Sequence, residues 1–194
     1  AQDVAVPADI SSAAYFMAVG ALLGETLVRN VGINPTRTGI FTVFDRMGVS
    51  YALEGERTVC GEPVADVRVK KSALRPLRLK REDMPSLIDE IPVIAVLCAF
   101  ADGESVISGA EELRVKESDR IATTAGMLAA VGASVTAKED GFVIRGKKKI
   151  AGGDVDPRLD HRIAMSAAVA LCASERGGEI KDAACADISF PNFY

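Results

Sequence analysis

The chain has 194 residues, 48% of them hydrophobic and 26% charged, with a formal net charge of −4 at pH 7. Disordered chains are poorer in apolar residues and collagen-like chains far richer in glycine and proline, so both classes are excluded. No uninterrupted apolar stretch approaches the roughly 20 residues that span a bilayer, and the mild acidity argues against a nucleic-acid backbone as the main partner.

From the N-terminus, Asp9-Ile10-Ser11-Ser12 opens an apolar run, Ala13 to Leu23, and Gly24-Glu25-Thr26-Leu27-Val28 follows. This order predicts a polar helix start, a helix apolar nearly all round, a glycine turn and a strand. A loop from Asn34 to Thr38 leads to a second predicted helix, Ile40 to Met47. Gly48-Val49-Ser50-Tyr51 then opens a strand, and a hairpin strand closes around Val67 to Val69. The basic stretch Arg75 to Arg81 reads as a surface strand. The same plan returns at Ile88-Asp89-Glu90. Its helix runs from Ile91 to Phe100 and its strand from Gly103 to Ile107. A charged loop from Glu112 to Asp119 precedes a helix from Ile121 to Val131 and strands at Gly132 to Val135 and Phe142 to Arg145. Lys147-Lys148-Lys149 reads as a solvated turn. The plan begins a third time at Leu159-Asp160-His161-Arg162, with a helix from Ile163 to Ala173 and a strand at Gly177 to Ile180, and breaks off before a second helix.

These repeats predict one α/β domain of three β-α-β-α-β-β-like units, at about 1–80, 81–150 and 151–194, the last incomplete. Alanine, the commonest residue, supplies small side chains for close helix contacts. A helix without a polar face must be buried on all sides. The prediction is therefore an inverted layering, with sheets outside and three packed helices in the middle. The broken third repeat and an Ala rather than Met at position 1 predict a fragment of a longer protein. Four cysteines, Cys60, Cys98, Cys172 and Cys185, form no CxxC pair. Cys98 and Cys172 lie in apolar runs and are expected to be buried free thiols, which places the chain in a reducing, cytoplasmic compartment.

Charge gathers at predicted helix starts. Leu113-Arg114-Val115-Lys116-Glu117-Ser118-Asp119-Arg120 precedes one helix, and Asp160-His161-Arg162 begins another. Unpaired N–H groups and a partial positive charge make helix N-termini attractive to anions. Arginines add planar bidentate donors. Lys116, Arg120 and Arg162 together suit a small polyanion, with Asp89, Glu117 and His161 as neighbours able to move protons. Each also has a plainer reading. Asp89 and Asp160 are ordinary caps, His161 is a helix-start residue, and Arg120 with Glu117 is a surface ion pair. The residues alone therefore support an anion-binding α/β domain.

Leu113 to Arg120 (LRVKESDR), Asp160 to Ser166 (DHRIAMS), Met84 to Glu90 (MPSLIDE), Ser189 to Phe193 (SFPNF) and Asp9 to Phe16 (DISSAAYF) resemble signature segments of the 5-enolpyruvylshikimate-3-phosphate synthases. They occur in that family's order and cover essentially the whole chain. The resemblance implies a domain built as an inside-out α/β barrel with buried helices, which joins a second, similar domain. It implies transfer of the enolpyruvyl group of phosphoenolpyruvate to the 5-hydroxyl of shikimate 3-phosphate, with release of phosphate and with no metal or organic cofactor. It further implies Asp89 as the base at that hydroxyl, Lys116 beside it and Glu117 as the acid at the methylene carbon. Arg120 and Arg162 would grip phosphoenolpyruvate, with His161 nearby. Partners would be these two substrates and a complementary N-terminal domain or chain, with no nucleic acid and no membrane. The chain departs from the resemblance in carrying Glu112 where many members have Asn, and Ile188 where many have Lys. Two other readings remain. A UDP-N-acetylglucosamine enolpyruvyl transferase relative would need a loop cysteine of a kind not seen here, and a non-catalytic anion-binding module would leave the charged constellation unexplained.

Overall fold

The computed structural model describes residues 4–194. In chain order they form α1 (Ile10–Leu23), β1 (Glu25–Gly32), α2 (Gly39–Met47), β2 (Ser50–Val59), β3 (Glu62–Lys70), β4 (Arg78–Leu79), α3 (Ile91–Phe100), β5 (Gly103–Ile107), α4 (Arg120–Ala130), β6 (Ser134–Lys138), β7 (Gly141–Gly146) and α5 (His161–Ala173). Short 3-10 turns stand at Arg81–Ser86, Ile88–Glu90, Glu111–Val115 and Ala183–Ile188.

Every residue of α3 is buried. With no polar face to offer water, it sits against α1 and α5, which also touch each other. The three make the predicted central layer. Their buried positions are rich in alanine, including Ala14 and Ala18 of α1, Ala95 and Ala99 of α3, and Ala164 and Ala167 of α5. Gly20 extends the same economy to the sheet: a Cβ there would stand 2.4 Å from Thr26 Oγ1, so α1 lies closer to β1 than any larger residue permits. The two shorter helices behave differently. On α2, Ile40, Phe41, Val43, Phe44 and Met47 are buried while Asp45 and Arg46 face water. It ends at Gly48, whose φ of 75° is the left-handed stop that glycine adopts without strain.

One sheet has the order β1-β3-β2 and the other β4-β5-β7-β6. The last three strands of the second sheet repeat the order of the first. In both, the strand after the central helix pairs with the second arm of the hairpin, and all three are antiparallel. A parallel partner recurs as well. Ala8 bridges Val31, β4 pairs with β5, and Val155 bridges Ile180. The sheets flank the helices as expected, but they remain two separate sheets and no closed barrel forms among the described residues.

Several expectations need correction. Only Arg78–Leu79 of the basic stretch is a strand, because Leu77 and Leu79 turn inward and a 3-10 turn starts at Arg81. In the third unit the predicted strand is reduced to the single bridge at Ile180. Cys172 is exposed, near the last turn of α5, while Cys98 and Cys185 are buried; all four cysteines are free. Asp89 caps no helix, since α3 starts without a side-chain cap. Among the described residues, no helix is long and apolar enough to cross a membrane.

Candidate active site

The starts of α1, α3 and α5 meet at one end of the central layer, and the loop into α4 folds over them. Asp9 caps α1 by accepting the Ser12 N–H at 2.8 Å. Asp160 caps α5 by accepting the Arg162 N–H at 2.9 Å. Residues Arg158 and Leu159 turn the chain into that cap with φ of 54° and 60°, a left-handed pair that carries no glycine. Asp119 caps α4 through its bonds to the Ile121 and Ala122 N–H groups, each 3.1 Å.

Arg120 is the hub. It is only 1% exposed, which overturns its reading as a surface partner of Glu117. Its Nε donates to Asp160 Oδ2 at 2.9 Å and its Nη2 to Asp160 Oδ1 at 3.3 Å. The same guanidinium stands 2.6 Å from Glu117 Oε2 and 3.6 Å from Asp89 Oδ1. Asp160 is fully buried and also accepts from Ser118 Oγ at 2.8 Å. Burial alone would push its carboxyl up, but the Arg120 bonds outweigh that and hold it below the usual aspartate range. A buried carboxylate with so many donors is a fixed charge, suited to holding Arg120 still.

Asp89 is the second junction. Its Oδ2 lies 3.3 Å from Arg162 Nη2, while Arg162 Nη1 donates to the Asp89 carbonyl oxygen at 3.4 Å. Burial opposes the charge on Arg162, but Tyr15, Asp89 and Glu90 outweigh it and hold the guanidinium above its ordinary value. Lys116 Nζ is taken by Glu112 at 2.7 Å, so the residue that departs from the signature occupies the lysine. His161 is buried at the first position of α5. Desolvation and the neighbouring Arg162 push its protonation down, leaving a neutral imidazole at neutral pH. The structure therefore brings together five of the six residues singled out from the sequence, Asp89, Glu117, Arg120, His161 and Arg162; the sixth, Lys116, adjoins Glu117 in the chain but is paired with Glu112.

It adds three others. Glu90 is buried and accepts a hydrogen bond from Ser11 Oγ, and Arg37 Nη2 donates to that same Oγ at 2.9 Å. Glu90 and Ser11 lie in the segments Met84 to Glu90 and Asp9 to Phe16 that resemble family signatures, yet each reads there as an ordinary helix-start residue. Arg37 left no sign, because it reads as an ordinary loop residue. Ile188, in the signature's lysine position, is 77% exposed and offers no charge.

The arrangement can bind an anion and exchange protons. Arginines, three helix starts and a ring of carboxylates converge, with Asp89 and Glu117 reaching one guanidinium from two sides. Known proteins are similar to this chain in sequence and in fold. The family model for EPSP synthase (3-phosphoshikimate 1-carboxyvinyltransferase) matches residues 1–194. A 3-phosphoshikimate 1-carboxyvinyltransferase of Syntrophomonas wolfei is 48% identical over 100% of this chain and 46% of its own length. The Synechococcus sp. protein of the same name is 45% identical, over 44% of its length. An EPSP synthase structure from Acinetobacter baumannii superposes with a TM-score of 0.93 at 41% identity, over 98% of this chain and 45% of that one. The enolpyruvyl transferase NikO of Streptomyces tendae shares the fold, with a TM-score of 0.70 at 20% identity. The chain spans about half the length of the curated relatives it matches. It belongs to the EPSP synthase (3-phosphoshikimate 1-carboxyvinyltransferase) family.

Proposed function

We propose that this chain is one domain of an EPSP synthase and supplies half of an active site formed between two domains. The units at 1–80, 81–150 and 151–194 form that domain, and a complementary N-terminal domain or chain supplies the other half. The substrates are phosphoenolpyruvate and shikimate 3-phosphate, and the compartment is the cytoplasm. The observation that carries the reading is the sharing of one buried guanidinium, Arg120, by Asp89 and Glu117. A base and an acid serving one addition must stand on either side of one bound substrate.

In this reading Asp89 accepts the proton of the 5-hydroxyl as its oxygen bonds to C2 of phosphoenolpyruvate. Glu117 delivers a proton to C3, which turns the methylene into a methyl group and gives a tetrahedral adduct. Glu117 then takes a methyl proton back as the C2–O bond to phosphate breaks and the enol double bond returns. Phosphate leaves with the proton that Asp89 had taken, which restores the Asp89 carboxylate, and the enolpyruvyl ether remains. Lys116, released from Glu112 when substrate enters, faces the attacking oxygen. Arg120 and Arg162 hold the carboxylate and phosphate of phosphoenolpyruvate, and neutral His161 donates one hydrogen bond. Fixed cations in a water-poor cleft stabilise charge with little reorganisation.

The test is phosphate release with both substrates, from the chain alone and from the chain mixed with the complementary half of the Syntrophomonas wolfei relative. The mixture is expected to turn over and the chain alone to show almost none. Robust turnover by the chain alone would overturn the shared-site reading. Failure of the assembled pair to bind either substrate would favour a non-catalytic module.

A further inference from the structure

Glu90 is a buried acid at this end of the fold that the proposed chemistry leaves unused and that, unlike Asp160, makes no ion pair within 4 Å among the described residues. It is 3% exposed, and its carboxyl is gripped by Ser11 Oγ, which itself accepts from Arg37. The groups facing it are few. From α1 come Ser11 and the buried Tyr15, from α5 Arg162, from the loop before α2 Arg37, and from its own turn Asp89. Arg162 also reaches the peptide that joins Asp89 to Glu90, through its 3.4 Å bond to the Asp89 carbonyl. Arg162 is thus the cation nearest the Asp89–Glu90 turn, and it is the same cation that the cleft presents to a ligand.

We infer that Glu90 is a positioning residue that acts through Arg162: it balances that guanidinium while the cleft is empty and takes up one proton from solvent when an anion binds there. The inference rests on the reading of Arg162 as an anion ligand. Its physical basis is a competition. Burial and the like charge of Asp89 favour a neutral Glu90 carboxyl, whereas the Ser11 bond and the charges of Arg162 and Arg37 favour the ionised one. Burial dominates, so the group already sits above the ordinary glutamate range. An anion on Arg162 cancels the main opposing charge, and the carboxyl then binds a proton. The Ser11 contact survives, since a neutral carboxyl still accepts through its carbonyl oxygen. The cleft thereby avoids gathering Asp89, Glu90 and a substrate charge around one guanidinium.

Linkage gives the sign. A site that takes up a proton on binding tightens as pH falls, by at most tenfold for each pH unit per proton. The probe is inorganic sulfate, which keeps its charge across the mildly acidic and neutral range. The readouts, on this 194-residue chain, are the 15N resonances of the Arg162 guanidinium and the 13C resonance of the Glu90 carboxyl. Sulfate is expected to move the Arg162 signals and to shift the Glu90 carbon to its protonated position. Affinity should rise as pH falls, on the order of tenfold from one end of that range to the other. Glu90→Gln is expected to flatten this dependence on the Glu90 side and to bind sulfate more tightly than the parent at the upper end. A residue needed only for folding would weaken binding at every pH. Ser11→Ala keeps the carboxyl and its packing but removes the bond that favours ionisation, so its Glu90 carbon should protonate at higher pH even without sulfate. Movement of Arg162 with an unmoved Glu90 carbon overturns the inference. Sulfate that leaves Arg162 unmoved at every pH overturns the anion-site reading beneath it.

Discussion

The loops that lead into α2 and α4 occupy the same place in two copies of one unit, yet they treat their arginines in opposite ways. In the first, Arg37 has a side chain 49% exposed and touches Ser11 and, at 3.5 Å, Asp9. In the second, Arg120 is 1% exposed and contacts three carboxylates. Arg37 lies just before the cap of α2 and Arg120 just after the cap of α4, two positions apart in the repeat, and their surroundings differ. A repeated scaffold supplies a position at a helix start. Whether that position becomes a solvated contact or a charged hub depends on how far the neighbouring segments close over it. Here the closure is made by Asp160, itself fully buried, and by Ser118.

The largest break in this comparison comes from removing each cation. Arg120→Ala strands a buried carboxylate without its partner and should cost about 3–5 kcal/mol of unfolding free energy. Arg37→Ala should cost under about 1 kcal/mol, as exposed pairs do. Urea denaturation of the two variants measures both, and equal losses would show that burial is not what separates the loops.

Acid should sharpen the contrast next. The Asp160 carboxyl is depressed in the fold, so the stability it contributes is present above its unfolded value near pH 3.9 and is lost as pH falls through the folded one. His161 is also depressed, and for a base the folded state then binds fewer protons than the unfolded chain. Its contribution is present above the ordinary histidine value of about 6.5 and declines as pH falls from there towards the lower folded one. Thermal unfolding followed against pH should show two acid losses. His161→Gln should remove the upper loss and leave the lower one.

The two helix starts differ more gently. Asp119 caps α4 with two backbone bonds, whereas Thr38 makes no side-chain cap bond to α2. Asp119→Ala should cost about 1 kcal/mol and Thr38→Ala only a few tenths. The smallest effect is Glu112→Asn, which frees Lys116 and removes an exposed pair worth about 0.3–0.5 kcal/mol. Both fall within reach of the same denaturation measurements.

Much of this is legible in the amino-acid sequence. The all-apolar runs fixed the inward helices, because a helix such as Ile91 to Phe100 has nowhere else to go. Glycines at helix ends marked the turn into each hairpin. The burial of Arg120 was not legible. The segment from Arg114 to Arg120 mixes charges like a solvated face, and Asp160, forty residues on, draws Arg120 alone of these residues into the interior. Glu90 was read as one more helix-start acid, and its bond to Ser11 spans 79 residues. Cys172 was misjudged for the converse reason. Its apolar neighbours belong to the buried stripe of α5, while Ala168 and Cys172 line the other side, beside Phe16, Phe193 and Tyr194. Pattern reports which residues avoid water on their own element; it does not report which elements meet.

One consequence follows from the bare start of α3. Its neighbours α1 and α5 each have an aspartate bound to their own backbone, whereas Asp89 has been drawn away to two arginines. The helix survives this because packing on all sides, not its end, holds it in place. Asp89→Asn therefore removes a charge from the cleft without loosening the layer behind it. A cell's folding surveillance has little to detect in such a protein, so a lesion at this position would persist at normal abundance as an intact molecule with an altered surface charge.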